Sequence, residues 1–195
     1  GFGKVEFGGS IGVALAHVAL LNYDSVCFLP FSDRLYPIRL IRGRRGVFKL
    51  MNLMSQLKPQ GRTDLRRSAR ALIHSIGHPG PLNLISDLLD PASPIEPLKD
   101  LILGGFELNV LHVLTPEELE PDARGDLKLV DVETGESREV TIDEGEIRGY
   151  RERMETFRRE IEDFCLSKGM RYALIRTNEP LERVLFETLR RSRIL

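Results

Sequence analysis

Cysteine is scarce in this chain, and that scarcity limits the classes of protein it can belong to. The 195 residues include two cysteines and no tryptophan. Cys27 falls in a predicted strand and Cys165 in a predicted helix, and neither has another Cys or a His at the spacing of zinc ligands. We therefore expect free thiols in a reducing compartment. The pattern excludes a small secreted domain held together by disulfides.

Long apolar runs are also missing. The longest, Ile11 to Leu21, is interrupted by His17 and is too short to span a bilayer, and no signal-peptide pattern precedes it. We expect a cytoplasmic domain without membrane insertion. Because the chain begins with Gly1 rather than Met, we expect a piece of a longer parent protein, which could itself carry a membrane anchor.

The motifs of several enzyme and nucleic-acid-binding classes are absent. There is no Gly-x-Ser-x-Gly elbow, the loop at Gly61 lacks the lysine of a P-loop, and no strand precedes the glycines near the N-terminus. Arginines cluster at positions 42 to 45 and 62 to 70, but aromatic residues do not interleave with them. We therefore expect no nucleic-acid partner.

Charge is unevenly distributed, although the net charge is only −1. Residues 1–80 carry 12 Lys and Arg against 4 Asp and Glu, and residues 81–195 carry the remaining 16 against 25. Solvated helix faces are the simpler interpretation. The alternative is a basic face between Arg34 and Arg70 that meets an acidic partner.

Hydrophobic periodicity predicts a single α/β domain over residues 1–195. Apolar stripes and turn residues indicate helices at 4–22, 47–57, 63–76, 94–103, 150–169 and 180–191, with strands at 26–31, 36–41, 82–86, 108–114 and 172–175. Strands that alternate with helices indicate a mostly parallel sheet covered by helices on both faces. Residues 127–142 differ and predict an inserted β-hairpin.

The functional interpretation depends on the strand that ends at Ser86-Asp87. Its apolar run is too short for an independent helix and is typical of a strand buried on both faces. Ligands of open α/β sheets bind at the carboxyl ends of the strands, so Asp87 is the first candidate. Thr63, the expected N-cap of the preceding helix, could bring a second hydroxyl to the same edge, beside that of Ser86.

Six segments together resemble a known family. They are FSD at 31–33, GRTDL at 61–65, LISDLLD at 84–90, VLHVLTPEE at 110–118, LVDVETGE at 129–136 and TNEPLERVLFETLRR at 177–191. They resemble the bacterial domain-of-unknown-function family fifty-eight, whose C-terminal portion is a von Willebrand factor A-like domain. The resemblance covers essentially the whole chain and implies a Rossmann-like, von Willebrand factor A-like sheet.

The resemblance also implies part of a metal-ion-dependent adhesion site. Such sites take ligands from three segments; Thr63 matches the second and Asp87 the third, with Ser86 in support. The first, an Asp-x-Ser-x-Ser run, is expected immediately upstream of Gly1, together with the central first strand of the sheet. We expect Thr63 and Asp87 to lie near each other without tightly bound metal, whereas Mg²⁺ could bind in the full-length parent.

The function that the resemblance implies is a protein–protein interaction module, not an enzyme, whose partner is a MoxR-type AAA+ ATPase. The alternative is a metal-dependent hydrolase or nuclease that uses the Asp87 edge. It would need more acidic residues at the strand ends, where only Asp87 and Asp33 qualify. A missing central strand would leave unpaired neighbours, so we also expect a homodimer or strand-swapped dimer.

Overall fold

The structure is a computed structural model that describes residues 3–32, 40–56, 63–121 and 144–195, together with the backbone of 125–130 and 137–142. The helices are α1 (Lys4–Leu21), α2 (Gly46–Gln56), α3 (Leu65–Ser75), α4 (Ile95–Leu103), α5 (Pro116–Leu119) and α6 (Glu144–Ser167). The strands are β1 (Ser25–Cys27), β2 (Leu40–Arg42), β3 (Pro81–Ser86), β4 (Glu107–Leu114), β5 (Gly125–Val130), β6 (Ser137–Ile142) and β7 (Arg171–Arg176). A C-terminal segment follows.

The central sheet is parallel and has the strand order β3-β4-β7. β4 is the middle strand, and every residue of it after Glu107 is buried because it has a neighbour on each side and helices above and below. A continuous apolar run is the expected sequence of such a strand. The coarse prediction of an α/β fold with a mostly parallel sheet is confirmed.

Helices cover both faces of this sheet. On one face, Phe7 and Ile11 of α1 pack with Leu111 of β4 and with the C-terminal segment. On the other face, α3, α4 and α6 form a larger cluster around Val110 and Tyr172. Successive side chains of a strand point to opposite faces, so the alternation along β4 divides the core into these two layers.

β3 differs from its prediction. Only Leu84 of this strand is buried, whereas the sequence predicted burial on both faces. The reason is its position: among the strands that the structure describes, β3 is hydrogen-bonded to β4 alone and therefore lies at an edge. β1 and β2 form a separate antiparallel pair, with Val26 opposite Ile41. Among the described strands, neither β1 nor β2 is hydrogen-bonded to β3.

The N-cap of α3 also differs from its prediction. Asp64, not Thr63, is the capping residue: its Oδ1 accepts a hydrogen bond from the backbone N–H of Arg67 at 2.8 Å. Aspartate caps at least as well as threonine, and its charge also suits the positive end of the helix. Thr63 is exposed and lies one residue before the cap.

Two elements near the C-terminus complete the fold. β5 and β6 pair antiparallel, from Gly125 opposite Ile142 to Val130 opposite Ser137. The turn of the hairpin predicted at 127–142 is outside the described residues, and its insertion within a single domain stays a prediction. The helix predicted at 180–191 comprises α7 (Leu181–Arg183), a π-helical turn (Val184–Thr188) and α8 (Leu189–Arg191).

Candidate functional site

Asp87 directly follows β3, at the carboxyl end of the sheet. It lies in a turn that the side chains of Ser86 and Asp87 hold through hydrogen bonds to the backbone. The Oγ of Ser86 accepts a hydrogen bond from the N–H of Leu88 at 3.1 Å, and Oδ1 of Asp87 accepts one from the N–H of Leu89 at 3.2 Å. Leu88 has φ of +56° and is 2% exposed. A buried leucine in the left-handed region is unusual, and such backbone strain concentrates at functional sites.

The second oxygen of Asp87 binds a lysine from the start of α1. The Nζ of Lys4 lies 2.5 Å from Oδ2 of Asp87 and 2.5 Å from Oε1 of Glu118. The two carboxylate oxygens therefore cannot lie further apart than twice that distance. We call Lys4, Asp87 and Glu118 the strand-end site. With one positive and two negative groups, its formal charge is −1.

Glu118 reaches this site because a capping box holds it after β4. The N–H of Thr115 donates to Oε2 of Glu118 at 2.8 Å, and the N–H of Glu118 donates to Oγ1 of Thr115 at 3.2 Å. This pattern confirms the helix start predicted from Thr115-Pro116-Glu117-Glu118. The Tyr150 hydroxyl of α6 donates to the Glu118 carbonyl at 3.0 Å. One carboxylate oxygen is thus engaged by the cap while the other faces Lys4.

The ion pairs keep Lys4 charged. Its side chain is 27% exposed, and burial by itself disfavours an ammonium group. The hydrogen bonds to Asp87 and Glu118 outweigh that burial and raise the pKa of Lys4 above its ordinary value of 10.5. At neutral pH the strand-end site therefore holds a permanent internal cation.

His112 of β4 fixes the backbone of the Asp87 turn from beneath. Its Nε2 lies 2.9 Å from the Asp87 carbonyl oxygen and its Nδ1 lies 2.9 Å from the Tyr172 hydroxyl. A carbonyl only accepts, so Nε2 carries the proton and Nδ1 accepts from Tyr172. Burial lowers the pKa of His112 from 6.5 to about 4. His112 is therefore neutral near pH 7, and its role here is to position Asp87.

Thr63 precedes the start of α3, and hydrogen bonds of the next two residues show what that start contacts. The Oδ2 of Asp90 accepts a hydrogen bond from the N–H of Leu65 at 2.8 Å, which joins the start of α3 to the turn that carries Asp87. Asp64 donates its own N–H to the carbonyl of Ser32 at 3.0 Å. In the part of the chain that is described, no hydrogen bond joins the side chains of Thr63 and Asp87.

The sequence missed two of the three residues of the strand-end site. Glu118 had a readable signal, because its capping box follows the strand next to β3 and so falls at the same edge. Lys4 had none: 83 residues separate it from Asp87 and 114 from Glu118. Periodicity and turn chemistry act over a few residues and do not report such a distant pair.

The residues that the structure describes do not complete a magnesium site. Among the described residues, no group of three or more His, Cys, Asp and Glu could hold a metal ion. Mg²⁺ takes near-octahedral oxygen coordination. Asp87 and Glu118 are the carboxylates at this edge, and both are paired with the ammonium group of Lys4, which a cation would have to displace. A metal site at Thr63 and Asp87 stays a prediction.

The parallel sheet with helices on both faces and polar residues at the strand ends defines an open α/β domain. Within that class, the chain belongs to the family described as "Protein of unknown function DUF58", whose model matches residues 2–161. No curated protein matches it.

Two solved structures resemble the chain, both at low sequence identity. The first is an aerotolerance-related membrane protein from Bacteroides fragilis NCTC 9343 with multiple mutations to serines; it has a TM-score of 0.53 at 12% identity, over 97% of this chain and 89% of that one. The second is the conserved hypothetical protein BatB from Bacteroides thetaiotaomicron, with a TM-score of 0.48, 13% identity and the same coverages of 97% and 89%. The first likeness supports the fold alone.

α1 has the length and composition of a membrane span. It has 18 residues and a mean hydropathy of 1.3, and 39% of that window is buried. The helix is longer than the run from Ile11 to Leu21 considered above. In this structure its Phe7 and Ile11 pack on the central sheet. The cytoplasmic location expected from the sequence stays a prediction.

Proposed function

We propose that the chain is a protein–protein interaction module that binds its partner at the strand-end site. One observation carries the proposal: carboxylates from the ends of two neighbouring parallel strands converge on one cation. Such convergence at the carboxyl edge is the usual location of a ligand site in an open α/β sheet. The turn that presents Asp87 is also held by His112 from below, so the site is rigid.

A von Willebrand factor A-like fold is part of this proposal. It is supported by the helices on both faces of the sheet and by an aspartate directly after an edge strand. Thr63 and Asp87 would be the remaining parts of an ion-dependent adhesion site, with Ser86 closing the turn. Because Asp87 and Glu118 are both paired with Lys4, we propose that any binding of Mg²⁺ here requires further oxygens from outside the described residues.

The partner we propose is a MoxR-type AAA+ ATPase, the partner that the family resemblance implies. We also propose that the chain is not an enzyme. Lys4 engages both carboxylates, and His112 is buried with both ring nitrogens hydrogen-bonded. A hydrolase or nuclease that used this edge would need a base that can reach its substrate, and His112 is buried beneath the Asp87 turn.

The test is capture of a purified, nucleotide-free MoxR-type AAA+ ATPase by the immobilised protein. Asp87→Asn removes the charge of the proposed site and keeps the shape of the side chain. Asp163→Asn, an exposed aspartate on α6, is the matched control. Each protein is assayed with Mg²⁺ and with EDTA.

We expect capture by the wild type and by Asp163→Asn, and at least a tenfold loss of affinity for Asp87→Asn. This loss is the scale of one charge-assisted contact in a binding site. Equal capture by both variants would refute the strand-end site as the interface. Hydrolysis of a phosphoester that Asp87→Ala abolishes would overturn the proposal in favour of the enzyme.

A further inference from the structure

A second surface, remote in sequence from the strand-end site, combines exposed cations with exposed apolar side chains. It surrounds the turn between β2 and α2, and we call it the basic corner. Its cations are Arg42, Arg44, Arg45 and Lys49, all exposed. Its large apolar side chains, with their exposed fractions, are Tyr23 at 80%, Phe48 at 69%, Met51 at 56% and Leu40 at 54%.

Direct contacts join the parts of this corner. The Arg44 guanidinium lies 5.3 Å from the centre of the Tyr23 ring, and its Nη2 lies 3.3 Å from the Tyr23 hydroxyl. The N–H of Phe48 donates to the carbonyl of Arg45 at 3.3 Å, so Phe48 lies in the first turn of α2, directly after the arginines in the chain. The cations and the apolar side chains therefore share one surface.

The tip of the corner is the turn that begins at Gly43. Gly43 has φ of +76°, which suits glycine, and a Cβ atom built there would meet nothing within 4 Å. Behind the tip, Gly46 packs against Ile41 and Leu20, so the turn stands on a closely packed base. The turn at Gly43 is thus open to its surroundings and is supported from behind by Gly46, Ile41 and Leu20.

The corner carries an excess of positive charge. No Asp or Glu occurs from Leu40 to Gln56, a stretch with four cations. Among the described residues that precede this stretch, the nearest acidic one is Asp24, which adjoins Tyr23. Four positive charges and that one negative charge give the corner a formal charge of +3. Four large exposed apolar side chains near this charge are costly to hydrate, and exposed apolar patches with a polar rim usually mark interaction sites.

We propose that the basic corner docks on an anionic lipid surface. Arginine and lysine would lie against the headgroups while Phe48, Met51 and Leu40 enter the interfacial region, which is how basic amphipathic segments bind membranes. Exposed cations beside exposed apolar side chains suit the boundary of an anionic lipid layer, where charged headgroups lie next to apolar chains. The inference is independent of the function proposed for the strand-end site.

The test is co-sedimentation of the protein with vesicles of phosphatidylcholine alone or with 30% phosphatidylglycerol. We expect binding only to the anionic vesicles, weakened between 0.1 and 0.5 M NaCl. Arg44→Gln with Arg45→Gln should weaken it about 30-fold, because each cation near an anionic surface contributes about 1 kcal/mol. The matched control, Arg66→Gln with Arg67→Gln on α3, removes the same charge from a helix without an exposed large apolar side chain.

A spectroscopic measurement reports apolar insertion directly. The chain has no tryptophan, so Phe48→Trp introduces a single indole at the corner. Its emission should shift to the blue with anionic vesicles and stay unchanged with neutral ones. The proposal is overturned if no shift occurs or if the α3 pair weakens binding as much as the corner pair.

Discussion

Acidification should destabilise this protein through His112. In the folded state burial lowers the pKa of His112 from 6.5 to about 4, so the native state favours the neutral ring. The unfolded chain binds the proton more readily, at its ordinary pKa. The stabilisation is therefore complete above pH 6.5 and is lost as the pH falls toward 4.

The magnitude follows from the two pKa values. With 1.36 kcal/mol per tenfold change in proton affinity, linkage gives a loss of about 2 kcal/mol between pH 7 and pH 5, and about 3 kcal/mol by pH 4. An m-value of about 2 kcal/mol per molar urea is usual for a domain of this size, so the urea midpoint should fall by about 1 M by pH 5.

The assay is urea unfolding followed by far-UV circular dichroism at several pH values. His112→Gln provides the control because it removes the titrating group at the same position. The variant should be less stable at pH 7 and should lose less stability on acidification than the wild type. Parallel pH profiles would refute the reasoning, as would an NMR titration that finds the pKa of His112 near 6.5 in the folded protein.

The remaining predictions concern the ion pairs, the core and the open edge of the sheet. A double-mutant cycle of Lys4→Met and Asp87→Asn in urea unfolding should give a coupling of about 1–2 kcal/mol, since both side chains are partly buried; a coupling of zero would mean that the pair is not formed. Leu111→Ala in the middle strand should cost about 3 kcal/mol in the same assay, because the side chain is fully buried, and a cost below 1 kcal/mol would contradict the packing. Sedimentation velocity should detect a dimer at high concentration through the edge of β3, and a monomer at every concentration would refute it.

Some elements were predictable from sequence because their signals are local. The buried run of β4 and the capping box at Thr115 are each complete within nine residues. Turn residues likewise predicted the antiparallel pairing of β5 and β6, although not its first residue. The residues that signal these features lie close together in the chain, so a single sequence records them.

The parts that sequence could not give depend on contacts between distant residues. The exposure of β3 follows from which strands lie beside it, and the apolar composition of its sequence does not report this. Thr63 and Asp64 are both good capping residues, and the Ser32 carbonyl that binds the N–H of Asp64 is visible only in the folded chain. Lys4 joined the site for the same reason, through α1 crossing the sheet.

The position of Leu88 has a consequence for genetic analysis. Its side chain is anchored in the core while its backbone directs the neighbouring Asp87 outward. Substitutions that loosen the packing around Leu88 would therefore rotate the acidic turn and mimic the loss of a contact residue. A screen for loss of partner binding would therefore find buried substitutions around Leu88 as well as substitutions of surface contact residues. A stability measurement on each variant would distinguish the two kinds.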